Sequence, residues 1–465
     1  MTLIDETPDI GGPDEPDEAD GKTMLEQAEE GAKRPLVGWL IAAAVIAVLI
    51  ILSIAGFDTE NILAGSFRSA FGVQGAVFAL AAIGVNLNYG YTGLLNFGPV
   101  AFMAAGAYGM GITITNGGHF LLGIAVGLIA AAFLALLLGL PSLRLRGDFL
   151  AITTIAAGEV LRVAFRSDNF FSMAIILLLL ISTVGFLTYA LPKLGSPVLQ
   201  WIAGIAAMLG VLFASIGIWG ARIFEGATGG PFGIPRPDEP SIVETFYSWN
   251  PWPTNDAYTI TDLPLLGDLL GVIPWFGDVL EQTTYNDRQM WVITVTWSLV
   301  ALSSFVVWKL VNSPWGRVMK AIREDEDAAR AVGKNAFSYK LQSFIVGGII
   351  TALAGMTRAM DQAFFNPESF RTQTTFFIWT VLILGGAATI KGPIAGAIVF
   401  WFFILFIEGS LDQMVERGWI PEVVLDPNQV SSVRFVVLGL TLASLMIWRP
   451  QGMFGKREEA LLDAA

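Results

Sequence analysis

The sequence is dominated by apolar runs of about 20 residues, the length that an α-helix needs to cross the hydrocarbon core of a bilayer. These runs predict twelve spans, at residues 36–56, 66–88, 93–115, 119–140, 148–166, 171–192, 198–220, 289–312, 341–360, 375–390, 393–410 and 432–449. Only 14% of the residues are charged, against about 25% in soluble domains. We therefore predict an all-α fold, a polytopic transmembrane helical bundle in a lipid bilayer, with broken glycine-rich helices in its core.

Basic residues cluster at intervals that fit one orientation of these spans. Cytoplasmic connections are enriched in Lys and Arg, and alternate connections here carry the clusters: Lys33 and Arg34, Arg144 and Arg146, residues 313–340, and Arg449, Lys456 and Arg457. Both termini of this multi-pass protein of the cell (plasma or inner) membrane are thus predicted to be cytoplasmic. We divide the chain into an acidic disordered cytoplasmic tail (1–34), a transmembrane domain (35–455) with an external acidic loop (221–288), and a cytoplasmic C-terminal tail (456–465).

The most charged segment between the tails is residues 313–340, which we predict to form one amphipathic cytoplasmic helix. Its apolar face consists of Val318, Ala321, Ile322, Ala328, Ala329 and Val332, with Asp325 as the exception. Gly333 follows as a helix stop. Such a helix suggests a part that docks into a partner, whereas charge alone favours an ordinary basic loop.

Two segments, 86–111 and 384–396, are rich in glycine, and each contains a Gly-Pro pair. Paired helix breaks in a membrane protein often line a substrate path, although small residues also serve close helix packing. For Ala104–Gly109 we predict packing. The predicted path residues are the polar side chains Asn88, Tyr91, Thr92 and Asn96, which have Asn86 beside them, and the glycine pair Gly385 and Gly386.

Few residues of this chain are suited to catalysis. Glu159 and Arg162 lie three apart on one predicted helix, where an ion pair is favoured over a proton relay. The chain has no Cys, a single His (His119) and no Walker A loop, so we predict that it is not an enzyme and holds no metal. A net charge of −13 gives no support to nucleic-acid binding. An ion-coupled secondary transporter would need more intramembrane carboxylates than Glu159.

The segment Asp327–Gly333, DAARAVG, resembles the Glu-Ala-Ala-x-x-x-Gly loop of ABC-importer permeases, with Asp327 in place of the Glu. Further segments, in the same order, are similar to LivM-type permease subunits of the branched-chain amino acid ABC transporter family: residues 84–108, 143–162, 226–237, 382–397 and 435–455. Residues 167–225 and 238–288 look inserted relative to that family, so the spans would be a family core plus an inserted pair. Pro99 stands where members commonly carry His.

This resemblance implies an importer of branched-chain or related neutral amino acids, with urea, short amides or nucleosides as alternative substrates. The implied partners are a LivH-like permease, two ABC ATPase subunits that hold the ATP and Mg, and an extracytoplasmic substrate-binding protein; this chain itself would hold no cofactor. The implied ATPase-coupling residues are Arg317, Arg323, Glu326, Asp327, Ala328, Ala329 and Gly333, the two alanines allowing close approach of an ATPase. The resemblance adds Thr228, Gly229 and Gly230 to the substrate path.

Overall fold

The structure of the chain is a computed structural model. It describes residues 58–144, 147–167, 228–235, 241–253, 257–259, 282–419 and 452–455, with isolated positions between 176 and 262 and between 435 and 439. The predicted tails 1–34 and 456–465, and the predicted spans 36–56, 171–192, 198–220 and 432–449, lie wholly or almost wholly outside these residues. The total of twelve spans therefore stays a prediction.

Most of the described residues are helical. The first helices are α1 (Thr59–Phe71), α2 (Val73–Thr92), α3 (Pro99–Thr115), α4 (Phe120–Ser142), α5 (Gly147–Phe165) and the short α6 (Glu244–Ser248). The later helices are α7 (Asp287–Val311), α8 (Pro314–Glu324), α9 (Glu326–Ala331), α10 (Ala336–Gln362), α11 (Thr372–Gly385) and α12 (Gly392–Glu416). Two 3-10 turns lie at Gly230–Phe232 and Pro367–Phe370.

Several of these helices are long and apolar enough to cross a membrane. Within the described residues there are five such segments: Thr59–Thr92, Phe120–Ser142, Asp287–Val311, Ala336–Gln362 and Gly392–Glu416. α3 is apolar but shorter, and α5 carries three charged residues in its 19 positions. The predicted helical fold is confirmed for this part of the chain, and these five segments have the length and apolar composition of membrane spans.

Two predicted spans are interrupted where glycine leaves the helical conformation. Helix in the predicted span 93–115 begins only at Pro99, because Gly93 adopts a left-handed φ of 72° that ends α2. The predicted span 375–390 corresponds to α11, which ends before Gly386 (φ 103°). With 14 residues, α11 is about 21 Å long and therefore shorter than the ~30 Å hydrocarbon core. Both glycine-rich segments thus contain a real break.

The centre of the described bundle is formed by α2, α3 and α10, which approach one another closely at glycines. A Cβ atom placed on Gly355 of α10 would lie 2.0 Å from the carbonyl oxygen of Met103 in α3. One placed on Gly106 would lie 2.6 Å from the carbonyl oxygen of Ala352. Such distances are open only to residues without a Cβ, so the prediction that Ala104–Gly109 serves helix packing is confirmed.

α4 turns one narrow face to the bundle and the other outward. The inward face is a stripe of small residues at intervals of four: Gly123, Gly127, Ala131, Ala135 and Gly139. The outward face exposes large apolar side chains, among them Leu121, Leu122, Ile129, Phe133, Leu137 and Leu140. An exposed apolar face of this kind is expected of a helix that contacts lipid.

Residues 313–340 fold as two short helices followed by the start of α10, so the prediction of a single amphipathic helix is wrong. Asp325 separates α8 from α9, with an extended backbone (φ −152°, ψ 104°). Its side chain accepts a hydrogen bond from the Ala328 amide at 2.9 Å, as an N-cap residue does. Gly333 (φ 80°) follows the end of α9, as predicted.

Candidate functional site

The inner face of α8 packs against the C-terminal end of α2. Met319 is fully buried, and its sulfur accepts a hydrogen bond from Thr92 Oγ1 at 3.4 Å. On the next residue of α8, the Lys320 ammonium lies 5.9 Å from the centre of the Tyr91 ring. The coupling segment (residues 313–340, which contain the predicted coupling residues) therefore lies beside two of the predicted path residues, Tyr91 and Thr92.

Arg323 makes the most direct polar link between these two helices. Its Nη1 donates a hydrogen bond to the carbonyl oxygen of Gly90. The stem of the same side chain runs past the left-handed turn at Gly93, where a Cβ would lie 3.3 Å from Arg323 Cγ. α8 is thus joined to the end of α2 through a charge-assisted hydrogen bond as well as through packing.

The outer face of the coupling segment is available to a partner. Four of its predicted coupling residues are exposed: Arg317, Asp327, Ala328 and Gly333. Ala329 is 5% exposed and packs with Ile322 and Ala336, so of the two alanines only Ala328 lies at the surface in this conformation.

Glu326 ties α9 to the beginning of α10. It pairs with Arg330 at 2.7 Å on its own helix, and it also accepts a hydrogen bond from Lys340. The Lys340 side chain is 17% exposed, so this second pair lies partly shielded from water. Glu326 therefore holds the two helices in one arrangement.

A buried polar cluster lies between the end of α2 and the beginning of α10. Thr92 Oγ1 and Ser343 Oγ are 2.8 Å apart. Asn88, one turn earlier on α2, is completely buried, and its Nδ2 has no hydrogen-bond partner. Its Oδ1 lies against Gly347, where a Cβ would be 2.5 Å away. The cluster is closed to solvent in this conformation.

The break after α2 is held by α5 and α11. Asn96 Oδ1 accepts the Gly98 amide at 2.9 Å, and Thr154 Oγ1 on α5 accepts the Phe97 amide at 3.0 Å. Trp379 of α11 donates from Nε1 to the Asn96 carbonyl at 3.0 Å and stacks on the Phe97 ring with 4.4 Å between centroids. Asn96, a predicted path residue, therefore stabilises the irregular backbone between α2 and α3.

The second break, between α11 and α12, is held against α2 through Asn86. The side chain of Asn86 accepts the Ala388 amide at 2.8 Å and donates to the Thr389 carbonyl at 2.7 Å. From the C-terminal segment, the Phe454 amide donates to the carbonyl of Gly385 at 3.0 Å. Gly385 and Gly386 thus lie beside α2, as the pairing of the glycine-rich segments suggested.

The Thr-Gly-Gly segment lies elsewhere. Thr228 is buried and donates to the Ser167 carbonyl at 3.1 Å, while Gly229 and Gly230 both adopt positive φ. A backbone bridge then joins Ile234 to Phe365, just beyond the C-terminal end of α10. This is the end of α10 opposite to Ser343, so the structure separates this segment from the other predicted path residues.

The predicted pair Glu159–Arg162 is confirmed, with both Glu159 oxygens 3.1 Å from Arg162 Nε. A further residue that the sequence does not indicate, Glu368, joins this pair: it accepts from Arg162 Nη1 at 2.5 Å and from Arg371 Nε at 2.8 Å. The hydrogen bond from Arg371, with Arg162 nearby, lowers the pKa of the Glu368 carboxyl below its ordinary value. Arg162 and Glu368 are 206 residues apart along the chain, so no local sequence pattern indicates that they are in contact.

Across the ranges that the structure describes, no group of His, Asp or Glu side chains could hold a metal ion. Three other features distinguish the described residues: broken apolar helices, a buried polar cluster, and an exposed charged segment that contacts this cluster. Together with the helices that are long and apolar enough to span a bilayer, they are features of a multi-pass membrane protein.

The family described as branched-chain amino acid transport system / permease component matches residues 67–413. That is well over half of the sequence, and the chain belongs to this family. No solved structure matches the chain.

Individual relatives are distant but extensive. The chain is 28% identical over 382 residues to the high-affinity branched-chain amino acid transport system permease protein LivM of Escherichia coli (strain K12), covering 81% of this chain and 67% of the relative. It is 22% identical over 389 residues to the probable LivM of Methanocaldococcus jannaschii, covering 82% and 91%. A shorter similarity, 25% over 173 residues, joins 34% of the chain to 51% of the autoinducer 2 import system permease protein LsrC of Photorhabdus laumondii.

Proposed function

We propose that this chain is the permease subunit of an ABC importer that moves branched-chain or related neutral amino acids into the cell. Two separate ATPase subunits hydrolyse the ATP, and a LivH-like permease completes the pore. An extracytoplasmic substrate-binding protein delivers the amino acid. The coupling segment and both termini lie in the cytoplasm of a cell whose plasma or inner membrane holds the bundle.

The observation that carries this proposal is the two-sided packing of α8 and α9. One face of α8 is buried on α2 through Met319 and Arg323, whereas the outer faces of α8 and α9 expose Arg317, Asp327 and Ala328. A segment built in this way can receive a partner on its outer face and pass a displacement inward. The names of the relatives, all permeases of transport or import systems, agree with that use.

The mechanism follows from these contacts. When the ATPase pair closes on ATP, it shifts α8, and α2 moves with it because Arg323 and Met319 join the two helices. The buried cluster of Thr92, Ser343 and Asn88 lies at this joint. Its rearrangement exposes polar groups to the substrate path, which is a population shift between two conformations rather than a chemical step.

The test is uptake of radiolabelled leucine by the complete transporter in proteoliposomes. ATP is enclosed inside, the binding protein is added outside, and proton and sodium gradients are collapsed with ionophores. We expect ATP-dependent accumulation that stops when ATP is replaced by a non-hydrolysable analogue.

Two other outcomes are informative. Uptake that follows an imposed ion gradient and ignores ATP would contradict the proposal in favour of a secondary transporter. ATP-driven uptake of urea, short amides or nucleosides, with none of leucine, isoleucine or valine, would keep the ABC mechanism and correct the substrate.

A further inference from the structure

A cavity of about 370 Å³ opens between α1, the beginning of α2, the end of α10, α12, and the beginning of α7 with Tyr285 before it. Its lining residues are Gly65, Arg68, Ser69, Val73, Gln74, Tyr285, Gln289, Asp361 and Leu405. Ligand pockets span about 300–1,000 Å³, so this one suits a small molecule such as a single amino acid. None of its residues belongs to the predicted substrate path.

The cavity lies at the end of the bundle opposite to the coupling segment. Tyr285 directly precedes α7, whose other end leads into α8. Asp361 is the penultimate residue of α10. The first residue of the same helix, Ala336, belongs to the coupling segment and packs with Ile322 and Ala329. If that segment is cytoplasmic, as proposed above, the cavity is at the external entrance.

One cation and one anion line this cavity. The guanidinium of Arg68 is positioned over the Tyr285 ring, 5.5 Å from its centre. Tyr285 is itself fixed, because its hydroxyl donates to the Arg68 carbonyl at 2.8 Å and its ring packs with Met290. Burial raises the pKa of Tyr285, so the hydroxyl keeps its proton. Arg68 is therefore held at the wall of the cavity with its donors available.

Asp361 supplies the opposite charge. Within the part of the chain that the structure describes, no hydrogen bond to its carboxylate is formed, and the nearest cation is Arg358, one turn earlier on α10. Arg358 attracts Asp361 electrostatically without bonding to it, and its Nε has no hydrogen-bond partner. A carboxylate in this setting keeps its oxygens for a ligand.

The remaining lining is mixed: Ser69, Gln74 and Gln289 are polar, whereas Val73 and Leu405 provide apolar surface. Val73 and Leu405 come from different helices, and Gly65 leaves space beside them, since nothing lies within 4 Å of a Cβ placed there. Free amino acids carry a carboxylate that a guanidinium binds through paired hydrogen bonds, and an ammonium that a carboxylate accepts. Urea and short amides carry no charge and would not require the two charged groups.

We propose that this cavity binds a zwitterionic amino acid with an apolar side chain, its carboxylate on Arg68 and its ammonium on Asp361. The inference rests on the proposed function and makes it more specific, because it gives the permease its own recognition site for the substrate class. The site acts after the binding protein has released its cargo and before the substrate enters the bundle.

The experiment measures binding of radiolabelled L-leucine to the complete transporter in lipid nanodiscs, with the binding protein absent. Two analogues compete: isopentylamine, which lacks the carboxylate, and 4-methylpentanoate, which lacks the ammonium. Removing one charge-assisted hydrogen-bonding group costs about 1.5–3 kcal/mol, so Arg68→Gln and Asp361→Asn should each weaken leucine binding about ten- to a hundredfold.

The analogues make the test specific. Arg68→Gln should leave the affinity for isopentylamine unchanged, and Asp361→Asn should leave that for 4-methylpentanoate unchanged. Arg68→Lys and Asp361→Glu keep the charges and should bind leucine better than the neutral variants, which shows that the bundle is intact. Arg288→Gln is the matched control, because its guanidinium lies over Tyr247 and outside the cavity.

Three results would overturn the inference: no leucine binding by the unmodified transporter, unchanged leucine binding by both neutral variants, or equal losses for leucine and both analogues. Failure of the proposed function is distinguished by the uptake assay described above. ATP-driven leucine uptake together with any of these three results rejects the cavity alone. Absence of ATP-driven uptake rejects the function itself.

Discussion

Replacing Arg323 by glutamine removes the charged link between α8 and α2 while keeping a side chain of similar length. The hydrogen bond from Nη1 to the Gly90 carbonyl is lost, and the packing of the stem against Gly93 is largely kept. A hydrogen bond that involves a charged group contributes about 1.5–3 kcal/mol. If this energy differs between the two conformations of the transporter, the equilibrium between them shifts by about ten- to a hundredfold.

We therefore expect Arg323→Gln to insert and to assemble with its ATPases, yet to import leucine at least tenfold more slowly. Its ATPase activity should fall less than its uptake, so more ATP is hydrolysed for each leucine moved. The assay is the ratio of ATP hydrolysed to leucine accumulated in proteoliposomes, normalised to the amount of this chain.

Arg317→Gln is the informative contrast, because Arg317 lies on the exposed face of the same helix. It should reduce the amount of ATPase that co-purifies, with a normal ratio of ATP to leucine in the complexes that do form. Lys334→Gln, in the exposed turn after α9, serves as a neutral control for charge. An Arg323→Gln transporter with the uptake rate and ATP ratio of the unmodified protein would refute the transmission of motion through this side chain.

Three further substitutions test the remaining structure. Asn86→Leu leaves the partly buried Ala388 amide and Thr389 carbonyl of the second break unpaired. A fully buried unpaired group costs about 1–3 kcal/mol, so the melting temperature of the complex should fall by a few degrees. An unchanged temperature would contradict the bridge. Glu368→Gln tests the ionic cluster. The pKa of Glu368 is lower in the folded protein than in the unfolded chain, so the ionised carboxylate stabilises the fold. This contribution is complete above the ordinary Glu pKa of about 4.3 and is lost as the pH falls through the folded pKa. Melting curves recorded from about pH 6 down to about pH 3 should therefore show a smaller acid-induced loss in the variant than in the unmodified protein, and parallel curves would argue against the cluster. Gly355→Ala places a methyl group 2.0 Å from the carbonyl oxygen of Met103 and should destabilise the complex by about 1–3 kcal/mol or more. Gly65→Ala is the control: nothing lies within 4 Å of its new methyl group, so its melting temperature should not fall.

Features that depend on local chemistry could be predicted from the sequence. The breaks at Gly93 and Gly386 follow from glycine-rich composition, and the pairing of Glu159 with Arg162 follows from their spacing on one helix. The sequence also contains a signal for the division of the coupling segment into α8 and α9. Asp325 precedes two acidic residues, which is a typical start of a helix, but the apolar periodicity continued through it and favoured one helix.

Features that depend on distant parts of the chain could not be predicted. Asn86 and its partner Thr389 are separated by 303 residues, and nothing near either residue indicates the other. The burial of Ala329 likewise depends on how α9 lies against α10, which periodicity alone does not determine. The cavity around Arg68 and Asp361 has the same origin, because its walls come from four separate stretches of the chain.

The glycine contacts at the centre of the bundle limit how this protein can deform. Where backbone meets backbone, as at Gly355, there are no side chains whose rotamers could change to let the helices slide. α3 and α10 are therefore expected to move as a single rigid lever, and α10, with 27 residues, is about 40 Å long. A small tilt applied at the coupling segment therefore produces a larger lateral displacement at the far end of α10. Because the packed helices do not bend, the deformation takes place in the irregular segments around them.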